Sequence, residues 1–181
     1  FFKLLINTNK AAKRFKTFDR DIIFLVDISA SIVNAQLGEF VKGITAAISN
    51  LNPKDRFEIV AFQNKPLALF GKPEPLTKQN IQKASTFLKK LTQSGSTNLY
   101  KTLTPYINKK YKTKGRPLLI FMLTDGKFNS GEIVRNAKFI NTISNKNSKT
   151  TEASIFTFTN SKNSNTLLMH LLAYKNKGEF I

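Results

Sequence analysis

The sequence predicts an α/β fold: an open, mostly parallel sheet with one antiparallel edge strand and helices on both faces. From about residue 20 onward, short β-rich apolar runs alternate with longer stretches of helical period, the order in which a parallel sheet and its covering helices are laid down. The run 21–28 (DIIFLVDI) is continuously apolar between two acids, as a central strand covered on both faces requires. A second such run, 118–123 (LLIFML), opens at Arg116-Pro117 and ends at Thr124-Asp125-Gly126.

The elements follow in order. After the first strand, residues 32–51 place Val33, Leu37, Phe40, Val41, Ile44, Ala47, Ile48 and Leu51 at helical spacing, a wide apolar stripe, and Asn52-Pro53 ends the helix. Residues 56–62 (RFEIVAF) alternate as a strand. Residues 66–70 (PLALF) come back after a Gln63-Asn64-Lys65 turn as its hairpin partner, which supplies the antiparallel edge. Residues 71–75 read as a Pro-rich turn. Residues 77–91 read as a helix with Thr77 as N-cap and Ile81, Ala84, Phe87, Leu88 and Leu91 facing inward. A polar loop, 92–98, precedes a helix over 99–111. Residues 130–145 read as a helix by Ile133, Val134, Ala137, Phe139, Ile140 and Ile143, residues 154–159 (SIFTFT) as a strand, 163–174 as a helix and 179–181 as the start of a last strand. Two polar, basic stretches, residues 1–20 and 145–151, are expected to be disordered or to contact parent sequence. The expected organisation is therefore an N-terminal basic segment over 1–20 and one domain over 21–181.

Composition narrows the class. At 181 residues the chain suits one domain with a buried core. A hydrophobic content of 41% with 8 Gly and 6 Pro excludes collagen-like and wholly disordered readings. Zero Cys removes disulfides, thiolate metal sites and Cys nucleophiles together. No run reaches the roughly 18 apolar residues of a membrane span, and no signal-peptide pattern is present. The chain begins Phe1-Phe2 without Met, so a longer or processed parent is expected. The 29 Lys and Arg against 11 Asp and Glu give a net charge of +18, which favours acidic partners of any kind. The excess is 24 Lys against 5 Arg. Arg is the better fork for phosphates and bases, so nucleic acid is disfavoured.

In an open parallel sheet, ligands bind outside the carboxyl ends of the strands. Both long apolar strands end there in an acid, Asp27 and Asp125. Asp27 opens Asp27-Ile28-Ser29-Ala30-Ser31, in which every second residue carries an oxygen, and Thr97 in Ser94-Gly95-Ser96-Thr97-Asn98 adds a third hydroxyl. Hard divalent cations take such oxygens. Helix capping by either acid alone would be the simpler reading, but five oxygen-bearing positions converging on one end of a sheet favour a site.

Asp27-x-Ser29-x-Ser31, Gly95-x-Thr97-Asn98 and Thr124-Asp125-Gly126 together resemble the metal-ion-dependent adhesion site of von Willebrand factor type A domains, in that order, over about residues 21–180. The resemblance implies a Rossmann-like sheet. It also implies a Mg²⁺ (or Mn²⁺ or Ca²⁺) ion bound directly by Ser29, Ser31 and Thr97, and by Asp27 and Asp125 directly or through water, with a position left for an acidic group of a protein partner. Asn98 is expected to shape its loop. Where the family has Gly-Ser-Met after Asp-x-Ser, this chain has Ala30-Ser31-Ile32, which keeps a small and then an apolar residue. Domains of the family end with a helix after the last strand, and this chain, which stops at Ile181, is expected to lack it. The function implied is a metal-dependent protein-interaction or adhesion module rather than an enzyme. The alternative is an electrostatic binder of nucleic acid or another anionic surface with a vestigial metal site.

Other constellations are bland. His170 is the only His and sits among Leu167, Leu168, Leu171 and Leu172, far along the chain from any candidate nucleophile, so a surface or partly packed role is expected. No phosphate-binding glycine loop follows the first strand. The Lys pairs 89–90 and 109–110 lie at expected helix ends, where cations are favoured without any ligand.

Overall fold

The computed structural model describes residues 18–111, 115–128, 130–131 and 135–181. Its order is β1 (Asp21–Asp27), α1 (Asn34–Ser49), β2 (Arg56–Phe62), β3 (Pro66–Ala68), β4 (Glu74–Pro75), α2 (Lys78–Lys89), α3 (Leu99–Leu103), a 3₁₀ turn (Lys109–Tyr111), β5 (Leu118–Leu123), α4 (Asn136–Ser148), β6 (Ser154–Phe158) and α5 (Thr166–Lys175). The sheet runs β3-β2-β1-β5-β6. β1 pairs in parallel with both β2 and β5, β5 pairs in parallel with β6, and β3 and β4 are antiparallel to β2. The expected mostly parallel sheet with an antiparallel edge is what forms. Because successive connections leave β1 in opposite directions, the order reverses between β1 and β5, the place where such sheets open a crevice.

Alternation along the strands splits the core in two. Ile23, Leu25, Ile120 and Met122 face Leu99, Leu103, Phe139, Ile143, Leu168 and Leu172, while Ile22, Phe24, Ile59 and Ala61 face Leu37, Phe40, Ile44, Ala84 and Leu88. Helices α1 and α2 therefore cover one face, and α3, α4 and α5 the other. Thr77 caps α2 as expected, its hydroxyl accepting from Asn80 N–H at 3.1 Å. At the far edge, residues 179–181 run beside β6, Phe180 bridging Thr157 in parallel. Gly178 permits that approach, since a Cβ there would lie 1.8 Å from the Ile155 carbonyl oxygen.

Several boundaries differ from expectation, each for a local reason. The helix expected over 99–111 stops at Leu103 because Pro105 cannot continue it. The helix expected from Ser130 begins at Asn136, because Ser130 is occupied with Thr97, donating its N–H and its hydroxyl to that residue's carbonyl. Ile133 and Val134 lie outside the described residues. Within the expected turn 71–75, Glu74 and Pro75 pair with Phe57 and Arg56. Glu58 binds the connection before them: its buried carboxylate accepts from Phe70 N–H at 3.0 Å and Ile59 N–H at 2.8 Å. Burial pushes that carboxyl up, against the opposing pull of these amides.

The stretch 145–151 is not disordered. It completes α4, and Asn147, 3% exposed, accepts from Thr151 Oγ1 and Ala153 N–H and donates to the Ala153 carbonyl and Asn176. Its polar side chain replaces backbone pairing where the chain turns from helix to strand. Of the basic N-terminal segment, residues 1–17 lie outside the described residues, and Arg20 is tied to Asp55 at 2.6 Å.

Candidate metal centre

The site is built where β1 and β5 end side by side. The register pairs Val26 with Leu123, so Asp27 and Thr124 leave the sheet together. Thr124 Oγ1 donates to Asp27 Oδ2 at 2.6 Å and accepts from Gly126 N–H at 3.0 Å. The other oxygen, Asp27 Oδ1, accepts from Ser29 N–H at 2.9 Å. That turn brings Ser29 Oγ to 3.2 Å from Ser31 Oγ, two hydroxyls side by side above a carboxylate. Asp125 Oδ1 accepts from Lys127 N–H at 2.9 Å, and the Asp125 carbonyl accepts from Asn165 N–H at 2.8 Å.

The third strand of the site is the loop 92–98. Ser94 N–H donates to the Ile28 carbonyl at 2.9 Å and Ala30 N–H to the Gly95 carbonyl at 3.0 Å, which lays this loop along the Asp27–Ser31 turn. Gly95 has φ +71°, the backbone conformation that favours glycine, and a Cβ there would also meet the tip of the Gln63 side chain, Oε1, at 2.6 Å. Ser29, Ser31 and Thr97 line one cavity of about 420 Å³ together with Lys127, Phe128 and Asn165. Asp27 and Asp125 lie behind them, 0% and 2% exposed. All five sequence-derived residues are thus at one end of the sheet. Asn98 shapes the loop as expected: its Oδ1 caps α3 by accepting from Lys101 N–H at 3.0 Å. His170 is exposed, its ring packed on Phe180.

Two buried carboxylates stand here with no Lys, Arg or His paired to either among the described residues. Burial pushes the Asp27 carboxyl up to about 6, against the hydrogen bonds from Ser29 and Thr124, and Asp125 adds a smaller push in the same direction. Buried charge is costly unless paired or metal-bound. The donors on offer are carboxylate and hydroxyl oxygens, the chemistry of a hard divalent cation, so the residues present fit such an ion. Among the described residues no group of three or more His, Cys, Asp or Glu converges, so hydroxyls must supply much of any coordination. Sequence reasoning did not assign Thr124 a role of its own, although it stands in the Thr124-Asp125-Gly126 motif. Ser130, which braces Thr97, carried no sequence signal.

The profile of the von Willebrand factor type A domain matches residues 20–179. The chain belongs to that family. An inter-alpha-trypsin inhibitor heavy chain H1 from Mesocricetus auratus is 26% identical over 133 residues, 70% of this chain and 15% of that protein, so the type A domain described here spans a small part of the length of that relative. Among solved structures, a von Willebrand factor type A protein from Catenulispora acidiphila superposes with a TM-score of 0.74 at 15% identity, covering 90% of this chain and 38% of the other. The proximal thread matrix protein 1 of mussel byssus, solved with a zinc-occupied MIDAS motif, gives 0.69 at 15% identity, covering 91% and 44%. At these identities the structural likeness establishes the shared fold. Type A domains are typically protein-interaction or adhesion modules. Among the described residues no helix is long and apolar enough to cross a membrane.

Proposed function

We propose that this type A domain is a metal-dependent protein-interaction module without enzymatic activity. A divalent cation, Mg²⁺ by donor hardness, is held by Ser29, Ser31 and Thr97, with Asp27 and Asp125 supplying the negative charge, and an acidic side chain of a protein partner completes its coordination. The observation that carries this reading is the pair of buried carboxylates, 0% and 2% exposed and paired with no Lys, Arg or His among the described residues, behind three hydroxyl-bearing residues that line one cavity. The zinc in the MIDAS motif of the mussel relative supports it.

The division of labour follows from the hydrogen bonds. Asp27 uses one oxygen to orient the Ser29 backbone and the other to accept from Thr124; it fixes the turn that presents Ser29 and Ser31. Asp125 is held by Lys127 N–H. The loop carrying Thr97 is clamped to the turn by Ala30 and Ser94. Lewis acidity toward a carboxylate is what the cation supplies when bound. A ligand that binds only the folded state at 100 times its Kd adds about 2.7 kcal/mol, roughly 5–10 °C in a domain of this size. Melting with and without Mg²⁺ or Mn²⁺ tests the reading. A rise in Tm that Ser31→Ala abolishes is expected, with little change in the metal-free Tm because Ser31 is exposed. No rise, or the same rise in the variant, overturns it.

A further inference from the structure

We infer that the partner is an acidic protein segment presenting at least two carboxylates, one for the metal and a second paired with Lys127; this rests on the metal reading above. Five ion pairs gather at one end of the sheet, beside exposed lysines such as Lys78 and Lys149 that are in no ion pair among the described residues. At the end where strands begin, Arg20–Asp55, Arg56–Asp21, Arg116–Asp19, Lys72–Glu74 and Lys177–Glu152 pair cation with anion. At the other end, the loops that follow the strands carry Lys65, Lys127, Arg135 and Lys162, all exposed. None of the four is in an ion pair among the described residues, and the described acids there, Asp27 and Asp125, are buried.

Lys127 is the one of the four that lines the cavity shared by Ser29, Ser31 and Thr97. Its backbone is pinned to Asp125 at 2.9 Å while its side chain remains exposed, so the ammonium stands at the rim of a fixed site. Asn136 and Asn165 line the same cavity, and Arg135 and Lys162 neighbour them in the chain. One carboxylate would engage the metal alone and leave Lys127 unused, whereas a segment with a second carboxylate matches it in potential. The carriers are mainly Lys, and the aromatic at the rim, Phe128, is packed on Phe139 with ring centroids 5.1 Å apart. An acidic peptide is therefore favoured over a nucleic acid, which calls for guanidinium forks and open stacking faces.

The probes are Mn²⁺ alone, by calorimetry, and two labelled, blocked hexapeptides, one with a single aspartate and one with two, by fluorescence polarisation in saturating Mn²⁺. The two-aspartate peptide is expected to bind about two- to fivefold tighter, the scale of one exposed pair. Lys127→Gln should remove most of that gain, read as the ratio of the two-aspartate to the single-aspartate affinity within the same variant. Lys78→Gln, the same charge change at the start of α2 near the opposite end of the sheet, should not. Equal affinity for the two peptides, or equal losses in the two variants, overturns this inference and leaves the metal reading standing. Two-aspartate binding that persists in EDTA at constant ionic strength, or is matched by a single-stranded oligonucleotide, also overturns it. Absence of Mn²⁺ binding overturns both.

Discussion

Thr124→Val isolates the hydroxyl that joins the two halves of the candidate metal centre. Thr124 is 0% exposed, and its Oγ1 donates to Asp27 Oδ2 at 2.6 Å and accepts from Gly126 N–H at 3.0 Å. Valine keeps the shape and deletes both bonds. A hydrogen bond to a charged group contributes about 1.5–3 kcal/mol, and a buried amide left without its acceptor costs about 1–3 kcal/mol. The two losses share one atom and relax together, so about 3 kcal/mol in total is the working figure. In a domain of this length each kcal/mol moves Tm by roughly 2–4 °C, which gives a fall of about 6–12 °C by calorimetry or circular dichroism. Thr124→Ser retains the hydroxyl and loses one buried methyl, about 1 kcal/mol, so it should fall between. Mn²⁺ affinity should follow the same order, because Asp27 loses the partner that holds its carboxylate. A Val variant within 0.5 kcal/mol of wild type, or a Ser variant as damaged as Val, would refute the assignment.

Three further outcomes are expected. Gly95→Ala meets both a φ of +71° and Gln63 Oε1 at 2.6 Å; it should cost about 1–2 kcal/mol in urea unfolding and weaken metal binding, and Gln63→Ala should relieve only the steric part. Asn147→Ala leaves the Ala153 amide and carbonyl without the partners that now bond them at 2.9 and 2.8 Å, so a loss of about 2–4 kcal/mol is expected, and a loss under 0.5 kcal/mol would contradict the bracing role. Asp55 tests pH dependence. Burial alone would raise its carboxyl, but hydrogen bonds from the Arg20 side chain and backbone and from Asn52 N–H outweigh that and hold it below the usual range. A lowered folded value means stability present above the ordinary Asp range and lost as pH falls through the folded value. Wild type should therefore lose its advantage over Asp55→Asn in urea midpoint between neutral pH and about pH 3, and a constant difference would count against the pair.

Much of this was legible from one dimension. Asp27, Ser29, Ser31 and Asp125 stand at or just past strand ends because apolar runs announce strands and the residues that close them announce the ligand-facing rim, whereas Thr97, in a loop between two helices, is marked by its hydroxyl and the Gly95-x-Thr97-Asn98 resemblance. The Thr77 cap and the two-sided burial of β1 were equally plain, since both depend on neighbours within a few positions. The start of α4 was not: nothing local says that Ser130 spends its donors on the Thr97 carbonyl, 33 positions away.

Periodicity in the chain itself settles the class of fold and the faces of the helices, and strand-end chemistry names the oxygens proposed to hold a cation. Three-dimensional packing alone decides that Glu58 is buried against the backbone of its edge partners, that Asn147 replaces a missing turn of pairing, and that Asp27 loses its water with Thr124, 97 positions distant, as its donor. The physical reason is range. Hydropathic period is set by residues three or four apart, whereas desolvation and the partner that offsets it come from whatever the sheet order places alongside.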